Sequence, residues 1–598
     1  MELILDTAPP ARTEELTRHG PLLGADGTTF RLWAPGAKDA HLVLRGKEPI
    51  PMSRAGDGFW QVTAPGIGPG TRYKFQIGDL TFPDIASRQQ DGDATGWSVV
   101  RAPLPPSPRK TPLRPWHETI ICEIHVGTAS PEGTFKGLAR RLEHFRDAGY
   151  TCLEIMPLNE FPGKRNWGYD GTLIFAPESA YGTPEDLRAL VDRAHALGLC
   201  MVLDVVYNHF GENDNFVPRV APEFLTDEIE TPWGPAVDFT RPMVRQFYYE
   251  NARMWLEEYD FDGLRFDSVH EMGTECRDLF LIELAHHARQ AKHHAKLILE
   301  NMDNTATWLA RTPDDEPTLY AAQWNDDIHH VLNHLVTGEQ KYGYDDPAKD
   351  PYADLEKALA DGFVHDGEVD GQSDGTTRHE PASVLPPDAF ITYVQNHDQI
   401  GNRGDNKRLP ERISAEKLDF LYFVTLLAPQ IPLLFMGEEA SLRTQFPFFV
   451  DLPEPAAQAV RDQRNRQMKD MFKEKTPPQG LPDPNAVQTF EMAQINWNDF
   501  SAPEAVAALE RFRELVACRR HKVWPLAASV CLDARTARQG NGFIVTWQFE
   551  AGTYAMALNP QDQPISLACT VDRPEVSTGT YEIEGNTLRL GPWSAIVW

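Results

Sequence analysis

Between residues 117 and 522, apolar segments of strand length alternate with amphipathic segments of helix length, and this alternation restricts the fold more than any other feature. Each strand-like segment is followed by at least some helical sequence. Strands are predicted at Thr119–Val126, Thr151–Pro157, Cys200–Tyr207, Gly263–Val269, Leu297–Met302, Thr318–Trp324, Ala389–Gln395 and Ile431–Met436. Eight such units in about 400 residues predict a (β/α)8 barrel with long insertions at 209–240 and 438–499.

The helical segments fit between these strands. They are predicted at Phe135–Ala148, Pro184–Ala196, Pro242–Tyr259, Arg277–Ala291, Ala415–Leu427 and Pro503–Arg520. A doubly wound sheet would show the same alternation, but no GxGxxG segment follows the first strand. Polar residues also follow several different strands, as in barrels, whose chemistry lies at the carboxyl ends of the strands. We therefore predict the barrel.

Shorter alternating segments on both sides predict two further domains. Residues 1–100 alternate with a period of two between turn formers, which predicts an N-terminal β-sandwich. Six prolines within 101–116 exclude a helix and indicate a linker. Period two returns near residue 523, so 523–598 are predicted to form a C-terminal β-sandwich, and the barrel domain spans 117–522.

Charge and cysteine content restrict the partners and the compartment. The chain has 57 basic and 87 acidic residues, and the resulting charge of −30 disfavours nucleic acid and anionic membranes. The first twenty residues lack the pattern of a secretory signal, and no apolar stretch is long enough to span a bilayer. Seven cysteines without CxxC spacing are expected to be free thiols in a reducing compartment. A cytoplasmic protein is expected.

The segment Gly263–Val269 places Arg265 and Asp267 two residues apart in an apolar run. In a strand these positions share one face, so the guanidinium would hold the carboxylate in its ionised form, as a nucleophile requires. A purely structural ion pair explains this segment equally well when it is taken alone. However, three other strand ends also carry acids or histidines: 202–209 (VLDVVYNH), 297–302 (LILENM) and 391–398 (ITYVQNHD).

These segments carry a resemblance to a known family. DVVYNH (204–209), GLRFDSVH (263–270), ILEN (298–301) and VQNHDQ (394–399) resemble the four motifs of the α-amylase family of glycoside hydrolases, in the same order. The domain order and FRLWAP (30–35) resemble the subgroup that holds branching enzymes, isoamylases and maltooligosyltrehalose trehalohydrolases. CEIHVGT (122–128), NWGYDG (166–171), AQWNDDIHH (322–330) and QNHDQIGNR (395–403) favour the trehalose-releasing members. Branching enzymes usually carry Ser-His-Asp-Glu where this chain has Asn-His-Asp-Gln at 396–399.

Glycoside cleavage with retention needs an attacking carboxylate and a carboxylic acid about 5 Å apart. Adjacent strands lie about 4.8 Å apart, so acids that end the fourth and fifth strands can meet this requirement. Asp267 is the candidate nucleophile and Glu300 the candidate general acid and base. The pKa of Glu300 is expected to be raised by burial and by a neighbouring anion. The resemblance makes Asp398 the third acid, which stabilises the transition state.

The remaining site assignments rest largely on the resemblance, and each has a purely structural role as its alternative. The implied substrate-binding residues are Arg265, His209, His397, Tyr169, Asp170, Glu271, Trp324, Asn325, Asp326 and Arg403. The two histidines would bond sugar hydroxyls, and Tyr169 would stack on a sugar ring. Residues after the fourth and sixth strands would face the trehalose side. Asp204 is expected to support Arg265 from beneath.

No cofactor and no metal site are predicted. Asn208 matches a calcium-binding position of many amylases, but no compact set of oxygen ligands accompanies it. The pairs His293–His294 and His329–His330 lack a third ligand at metal spacing and are assigned to a helix surface and to a loop, respectively.

The resemblance implies a retaining hydrolase that cuts the α-1,4 bond next to the trehalose end of maltooligosyltrehalose. Other α-1,4-glucans are implied as further binding partners. The resemblance also implies a functional partnership with an enzyme that forms maltooligosyltrehalose. A glucan branching transferase would use the same three acids and is the enzymatic alternative. The third hypothesis is an α-glucan-binding protein with an inactive barrel, and such a protein would be expected to lack one of the three acids.

Overall fold

The computed structural model describes residues 19–105, 107, 114–231, 233–273, 276–339, 350–365, 380–470, 480–571 and 573–598. The start of the predicted N-terminal domain, part of the predicted linker and part of each predicted insertion lie outside these residues. Among the described residues, no helix combines the length and the apolarity needed to cross a membrane.

Eight parallel strands close into a barrel. In chain order they are Ile121–Ile124, Cys152–Ile155, Cys200–Val205, Gly263–Phe266, Lys296–Leu299, Ala322–Trp324, Phe390–Thr392 and Ile431–Phe435. Each pairs in parallel with its neighbour, and the first pairs with the eighth. Their inward side chains form an apolar core around residues such as Val202, Ile298 and Ile391. The predicted barrel is confirmed.

Helices surround the barrel. They span Phe135–Ala139, Leu142–Ala148, Pro184–Ala196, Val217–Val220, Pro242–Glu257, Arg277–Ala291, Asp326–Thr337, Pro351–Ala360, His397–Gly401, Ala415–Leu427, Ala456–Asp470, Val487–Ala493, Pro503–Cys518 and Trp524–Ala527. The first predicted helix is divided in two at Arg140–Arg141.

The assignment of the two histidine pairs was wrong. His329 and His330 lie inside the helix Asp326–Thr337, where Asn325 accepts the N–H of Ile328 and so caps the helix start. His293 and His294 follow the helix Arg277–Ala291 in an exposed turn.

The N-terminal strands form two facing sheets. One contains Leu22–Gly24, Gly27–Trp33, Phe59–Pro65 and Ser53–Arg54; the other contains Ile50–Pro51, His41–Leu44, Arg72–Ile77, Leu80–Phe82, Trp97–Val99 and Gln90–Asp91. Phe30, Tyr73 and Phe75 are fully buried between them. These aromatic rings therefore form a core. The sandwich packs on the barrel through contacts such as that of Trp33 with Phe224, whose ring centroids lie 5.0 Å apart.

The C-terminal strands also form two sheets. The larger contains Cys531–Gln539, Gly542–Phe549, Gly552–Asn559, Ser594–Val597 and Val576–Thr578; the smaller contains Ile565–Ala568, Thr587–Leu590 and Tyr581–Glu584. Tyr554 donates a hydrogen bond to the carbonyl of Leu427 (2.9 Å), and the buried Arg519 donates to the carbonyls of Ala428 and Gln430 (both 2.6 Å). These contacts attach the C-terminal sandwich and the end of the helix Pro503–Cys518 to residues 427–430, which precede the eighth strand of the barrel.

Candidate active site

Asp267 and Glu300 follow two adjacent strands of the barrel at the same level. Phe266 pairs with Leu299, and each acid is the next residue on its own strand. Pairing continues past the strands, because the N–H of Glu300 donates to Phe266 (3.1 Å) and the N–H of Val269 donates to Glu300 (3.0 Å). Since neighbouring strands lie about 4.8 Å apart, the two carboxyl groups emerge side by side.

The buried guanidinium of Arg265 connects three carboxylates. Its Nη1 donates to Asp204 (2.7 Å) and to Asp267 (2.9 Å), and its Nη2 donates to Glu300. The ring of Trp324 supports the guanidinium from one side, with Cζ 4.0 Å from the ring centroid. Arg265 therefore fixes the relative positions of Asp267 and Glu300.

Ser268 turns the chain between these two acids. It adopts a left-handed conformation (φ 38°), which is strained for a residue with a side chain. In this conformation its N–H donates to Glu300 Oε2 (2.9 Å). The predicted strand Gly263–Val269 therefore ends at Phe266, and Asp267 lies just beyond it.

The charge distribution differs from the one expected from the sequence. Burial raises the pKa of Asp267, and the anions Glu300, Asp204 and Asp398 add to this, although Arg265 opposes it. Burial alone would also raise the pKa of Glu300, but Arg265, His270 and the N–H of Ser268 outweigh it and lower the pKa. The expectation of a raised pKa for Glu300 is therefore wrong for this conformation, because Arg265 contacts both acids rather than Asp267 alone.

Asp398 enters from the other side of the barrel mouth. It lies in the first turn of the helix His397–Gly401, where Asn396 accepts its N–H (2.9 Å). The side-chain amide of Asn402 donates to Asp398 Oδ1 (2.8 Å). Its side chain is 41% exposed, so the carboxylate faces open space.

His397 joins this acid to the barrel wall. Its ring is buried, bonds Glu123 through Nδ1, and lies 3.5 Å from Asp398 through Nε2. Burial alone would lower the pKa of His397, but the charges of Asp398 and Glu123 outweigh it and raise the pKa to about 9. His397 is therefore protonated at neutral pH, and its positive charge compensates the negative charges of the two neighbouring carboxylates.

This raised pKa predicts a pH dependence of stability. A histidine whose folded-state pKa exceeds its unfolded value of 6.5 contributes stability that is full below pH 6.5 and is lost as the pH rises through about 9. We expect the free energy of unfolding to fall by roughly 3 kcal/mol more over this interval in the native protein than in His397→Gln. Chemical denaturation at a series of pH values measures this, with His293→Gln as the exposed control. Equal slopes for the native protein and His397→Gln would contradict the ion pair.

Tyr169 and Asp170 are presented by a tight turn. Gly168 has a positive φ (108°), and a Cβ there would lie 2.3 Å from the carbonyl oxygen of Pro157. Only glycine permits this approach. The Tyr169 hydroxyl donates to Asp204 (2.8 Å), and its ring stacks on His397 with centroids 5.0 Å apart. Asp204 thus holds both Arg265 and Tyr169 from below.

Asn208 and His209 form a further group of side chains beside Asp267. The amide of Asn208 donates to Asp267 Oδ2 (3.1 Å), and its Oδ1 lies 2.6 Å from His209 Nδ1. The His209 ring stacks almost parallel on Trp233, with centroids 4.1 Å apart. Asn208, considered in the sequence only as a metal position, is used here to orient Asp267.

A cleft of about 210 Å³ opens over these groups. It brings together six of the predicted residues: Tyr169, Asp170, His209, Asp267, His397 and Asp398. Glu300 adjoins the cleft through Ser268. The lining also includes Phe448, an aromatic residue of the predicted insertion 438–499, and residues that sequence reasoning missed, namely Trp167, Glu212, Asn213, Trp233, Asn402 and Arg464. Trp167 and Asn402 lie within motifs already noted, whereas Trp233 and Arg464 lie in the insertions.

Besides Arg265, which lies beneath the acids, five predicted substrate-binding residues lie away from this lining. Trp324 is buried under Arg265, and Asn325 caps a helix while its amide donates to the carbonyl of Gly362 (2.7 Å). Arg403 is also buried and bonds both carboxylate oxygens of Glu339 (2.9 and 3.1 Å). The polar groups of Asn325 and Arg403 are thus engaged in the protein, whereas the buried indole N–H of Trp324 has no hydrogen-bond partner among the described residues.

The other two are Asp326, which lies close enough to Glu300 to be affected by its charge, and Glu271. Burial and the charge of Glu300 raise the pKa of Asp326 to about 7, and the hydroxyl of Tyr393 bonds its carboxylate. Glu271 lies in the turn that follows the fourth strand, with its side chain 37% exposed. Both remain predictions for the leaving-group side.

Two family models match this chain. "Alpha amylase, catalytic domain" matches residues 85–223, and "Carbohydrate-binding module 48 (Isoamylase N-terminal domain)" matches residues 16–81. A Salmonella typhimurium protein assigned as an alpha amylase, with a crystal structure, is 36% identical and superposes with a TM-score of 0.91 over 97% of this chain and 99% of that one. The barrel and its carboxylates thus define a glycoside hydrolase of the α-amylase family.

Curated relatives narrow the family further. Malto-oligosyltrehalose trehalohydrolase from Deinococcus radiodurans is 34% identical over 84% of this chain and 82% of its own length. The enzyme of the same name from Saccharolobus solfataricus is 32% identical over 90% and 93%, respectively. The chain belongs to the malto-oligosyltrehalose trehalohydrolase family.

Proposed function

We propose that the protein hydrolyses the α-1,4-glucosidic bond next to the trehalose end of maltooligosyltrehalose and releases trehalose and a shortened maltooligosaccharide. The observation that carries the chemistry is the placement of Asp267 and Glu300 side by side on adjacent strands, bridged by one guanidinium. The names of the relatives carry the choice of substrate.

In the first half-reaction, Asp267 attacks the anomeric carbon and Glu300 protonates the departing oxygen. Asp398 stabilises the positive charge that develops on the sugar, and the face of Tyr169 supports the ring. In the second, water attacks the glycosyl–Asp267 ester while Glu300, now a base, accepts its proton. The anomeric configuration is retained because two inversions occur at the same carbon.

Glu300 must carry a proton at the start of this cycle. With Arg265 bound to both acids, the pKa of Asp267 is raised and that of Glu300 is lowered, so the proton favours Asp267. When Glu300 separates from Arg265, the order of the two pKa values reverses, because the guanidinium then stabilises the ionised forms of Asp204 and Asp267 only. We assign this separation to the binding of substrate at the leaving-group side, next to Glu300.

The substrate places the protein within a reaction sequence. Trehalose-capped maltooligosaccharides must be formed by another enzyme, which supplies this hydrolase. All seven cysteines are free thiols, which fits a reducing compartment, and we place the reaction in the cytoplasm.

Product analysis tests this function directly. The protein is incubated with maltooligosyltrehalose, with a maltooligosaccharide of the same length that lacks the trehalose cap, and with amylose. We expect free trehalose and one new reducing end per trehalose released, with slower cleavage of the uncapped chain. A shift in iodine staining of amylose without new reducing ends would instead indicate a branching transferase. Binding of the glucans without any product would indicate a glucan-binding protein.

A further inference from the structure

The helix Ala456–Asp470 forms one wall of the cleft. Val460, Gln463, Arg464 and Gln467 line the cleft, at spacings of three and four residues that place them on a single face. Such a face normally packs apolar side chains against a core. Here it presents two amides and a guanidinium to the cavity, which suits ligands that carry hydroxyl groups.

Arg464 reaches from this helix to the third acid through one intermediate residue. Its Nη1 donates to Asn402 Oδ1 (2.7 Å), and its Nη2 donates to the carbonyl of Gly401. The other end of the Asn402 amide donates to Asp398 Oδ1 (2.8 Å). A cation on one side and an anion on the other therefore fix the direction in which the Asn402 amide points.

Arg464 is also well placed to influence the charge of Asp398. Burial lowers the pKa of Arg464 to about 10, and the negative charge of Asp398 opposes this. The guanidinium therefore remains protonated at neutral pH. Its ring neighbour is Phe448, with Cζ 5.3 Å from the ring centroid, so the cation is held against the cleft wall rather than in bulk solvent.

The position of the two catalytic candidates shows which part of a substrate this wall would meet. The cleft is lined by Asp267, which attacks the anomeric carbon, whereas Glu300, which protonates the departing oxygen, lies at its edge. The departing group consequently leaves on the side of Glu300. The helix face lines the cleft together with Asp267 and Asp398, and we therefore assign it to the glycosyl unit that becomes attached to Asp267.

We propose that Arg464 is a positioning residue for Asp398, acting through the amide of Asn402, and that Gln463 and Gln467 bind hydroxyls of the glucosyl chain on the same side. This proposal rests on the proposed glycosidase mechanism, whose third acid is Asp398. It extends that mechanism to a residue more than sixty positions away in the chain, in an insertion that follows the eighth strand.

A relay through Asn402 and a purely structural link between the helix and the barrel predict different kinetics. If Arg464 positions Asp398, Arg464→Gln lowers kcat and kcat/KM together, because the lost interaction acts in the transition state. A displacement of about 1 Å in a catalytic group can reduce the rate about 100-fold. If Arg464 only anchors the helix, the variant loses thermal stability but retains kcat. Gln463→Ala and Gln467→Ala are expected to raise KM with little change in kcat.

The decisive experiment is a double-mutant cycle of Arg464→Gln and Asn402→Ala, with Arg466→Gln as the matched control on the exposed face of the same helix. We expect each single variant to lose about 10-fold to 100-fold in kcat, and the double variant to lose no more than Asn402→Ala alone. Arg466→Gln should remain within twofold of the native protein. Arg464→Lys, which keeps the charge but not the two-pronged contact, should recover only part of the loss.

Two results would overturn the proposal. One is a kcat for Arg464→Gln within threefold of the native value. The other is a double variant whose losses multiply, since this would show that the two residues act independently. Should Arg464→Gln fail to fold, as judged by its melting temperature, the same criteria apply to Arg464→Lys in the cycle. Rates are measured both as trehalose release and as new reducing ends from uncapped maltooligosaccharide. Failure of the native protein to release trehalose would contradict the proposed substrate, while the second assay would still test Arg464.

Discussion

Asp267→Asn should lower kcat on maltooligosyltrehalose by roughly 10⁵-fold, which is the scale seen when a nucleophile is removed from a covalent mechanism. The amide has nearly the same shape as the carboxylate, and its single oxygen still accepts from Arg265, whereas the NH2 group that replaces Oδ2 no longer accepts from Asn208. Attack on the anomeric carbon, however, requires the lone pairs and the negative charge of a carboxylate. Trehalose release over hours to days provides the sensitivity that this loss demands.

The control for this variant is Asp278→Asn, an aspartate with a side chain 67% exposed at the start of the helix that follows the same strand. It should remain within twofold of the native rate. Activity of Asp267→Asn within tenfold of the native rate, with its thermal stability intact, would show that another group attacks the substrate.

Glu300→Gln should lower kcat on maltooligosyltrehalose by about 10³-fold, because general acid catalysis contributes on the order of 10²- to 10⁴-fold. The loss should depend on the leaving group. An α-glucosyl fluoride releases fluoride, which needs little protonation, so its first half-reaction should be slowed much less. The ratio of the two losses therefore isolates proton donation from any general damage to the site.

Single-turnover rates of fluoride and trehalose release give this ratio, and Glu257→Gln, a partly exposed glutamate on a neighbouring helix, serves as the control. Equal losses for the two substrates in the first half-reaction would assign Glu300 a structural role, through its contacts with Arg265 and Ser268, rather than proton transfer.

The fold could be predicted because the local pattern and the global architecture agree. The helices Pro184–Ala196, Arg277–Ala291 and Ala415–Leu427 begin and end where their sequences indicated. Two of them start with an N-cap residue whose side chain accepts a backbone N–H, Thr183 and Ser414. Strand ends were overestimated, because apolar sequence continues into the catalytic loops. After Phe266, for example, the backbone turns at Ser268, and Val269–Glu271 form a 3₁₀ turn instead of continuing the strand.

The candidate site could be predicted only where strand geometry determines it. The acids at the ends of the fourth and fifth strands are neighbours in any closed barrel of this order. Trp233 and Arg464 reach the cleft from long insertions, whose paths depend on tertiary packing and leave no periodic signal in the sequence. The lowered pKa of Glu300 depends on which nitrogen of Arg265 contacts which acid. The sequence holds no information at that level of detail.

The central claim is that two carboxyl groups on adjacent strands act on one anomeric carbon by a double displacement. The anomeric configuration of the newly formed reducing end tests this claim most directly. Proton NMR during the first minutes of maltooligosyltrehalose cleavage, before mutarotation, should show the α-anomer appear first and the β-anomer only later. Initial appearance of the β-anomer would mean a single displacement by water, and it would contradict the roles assigned to Asp267 and Glu300.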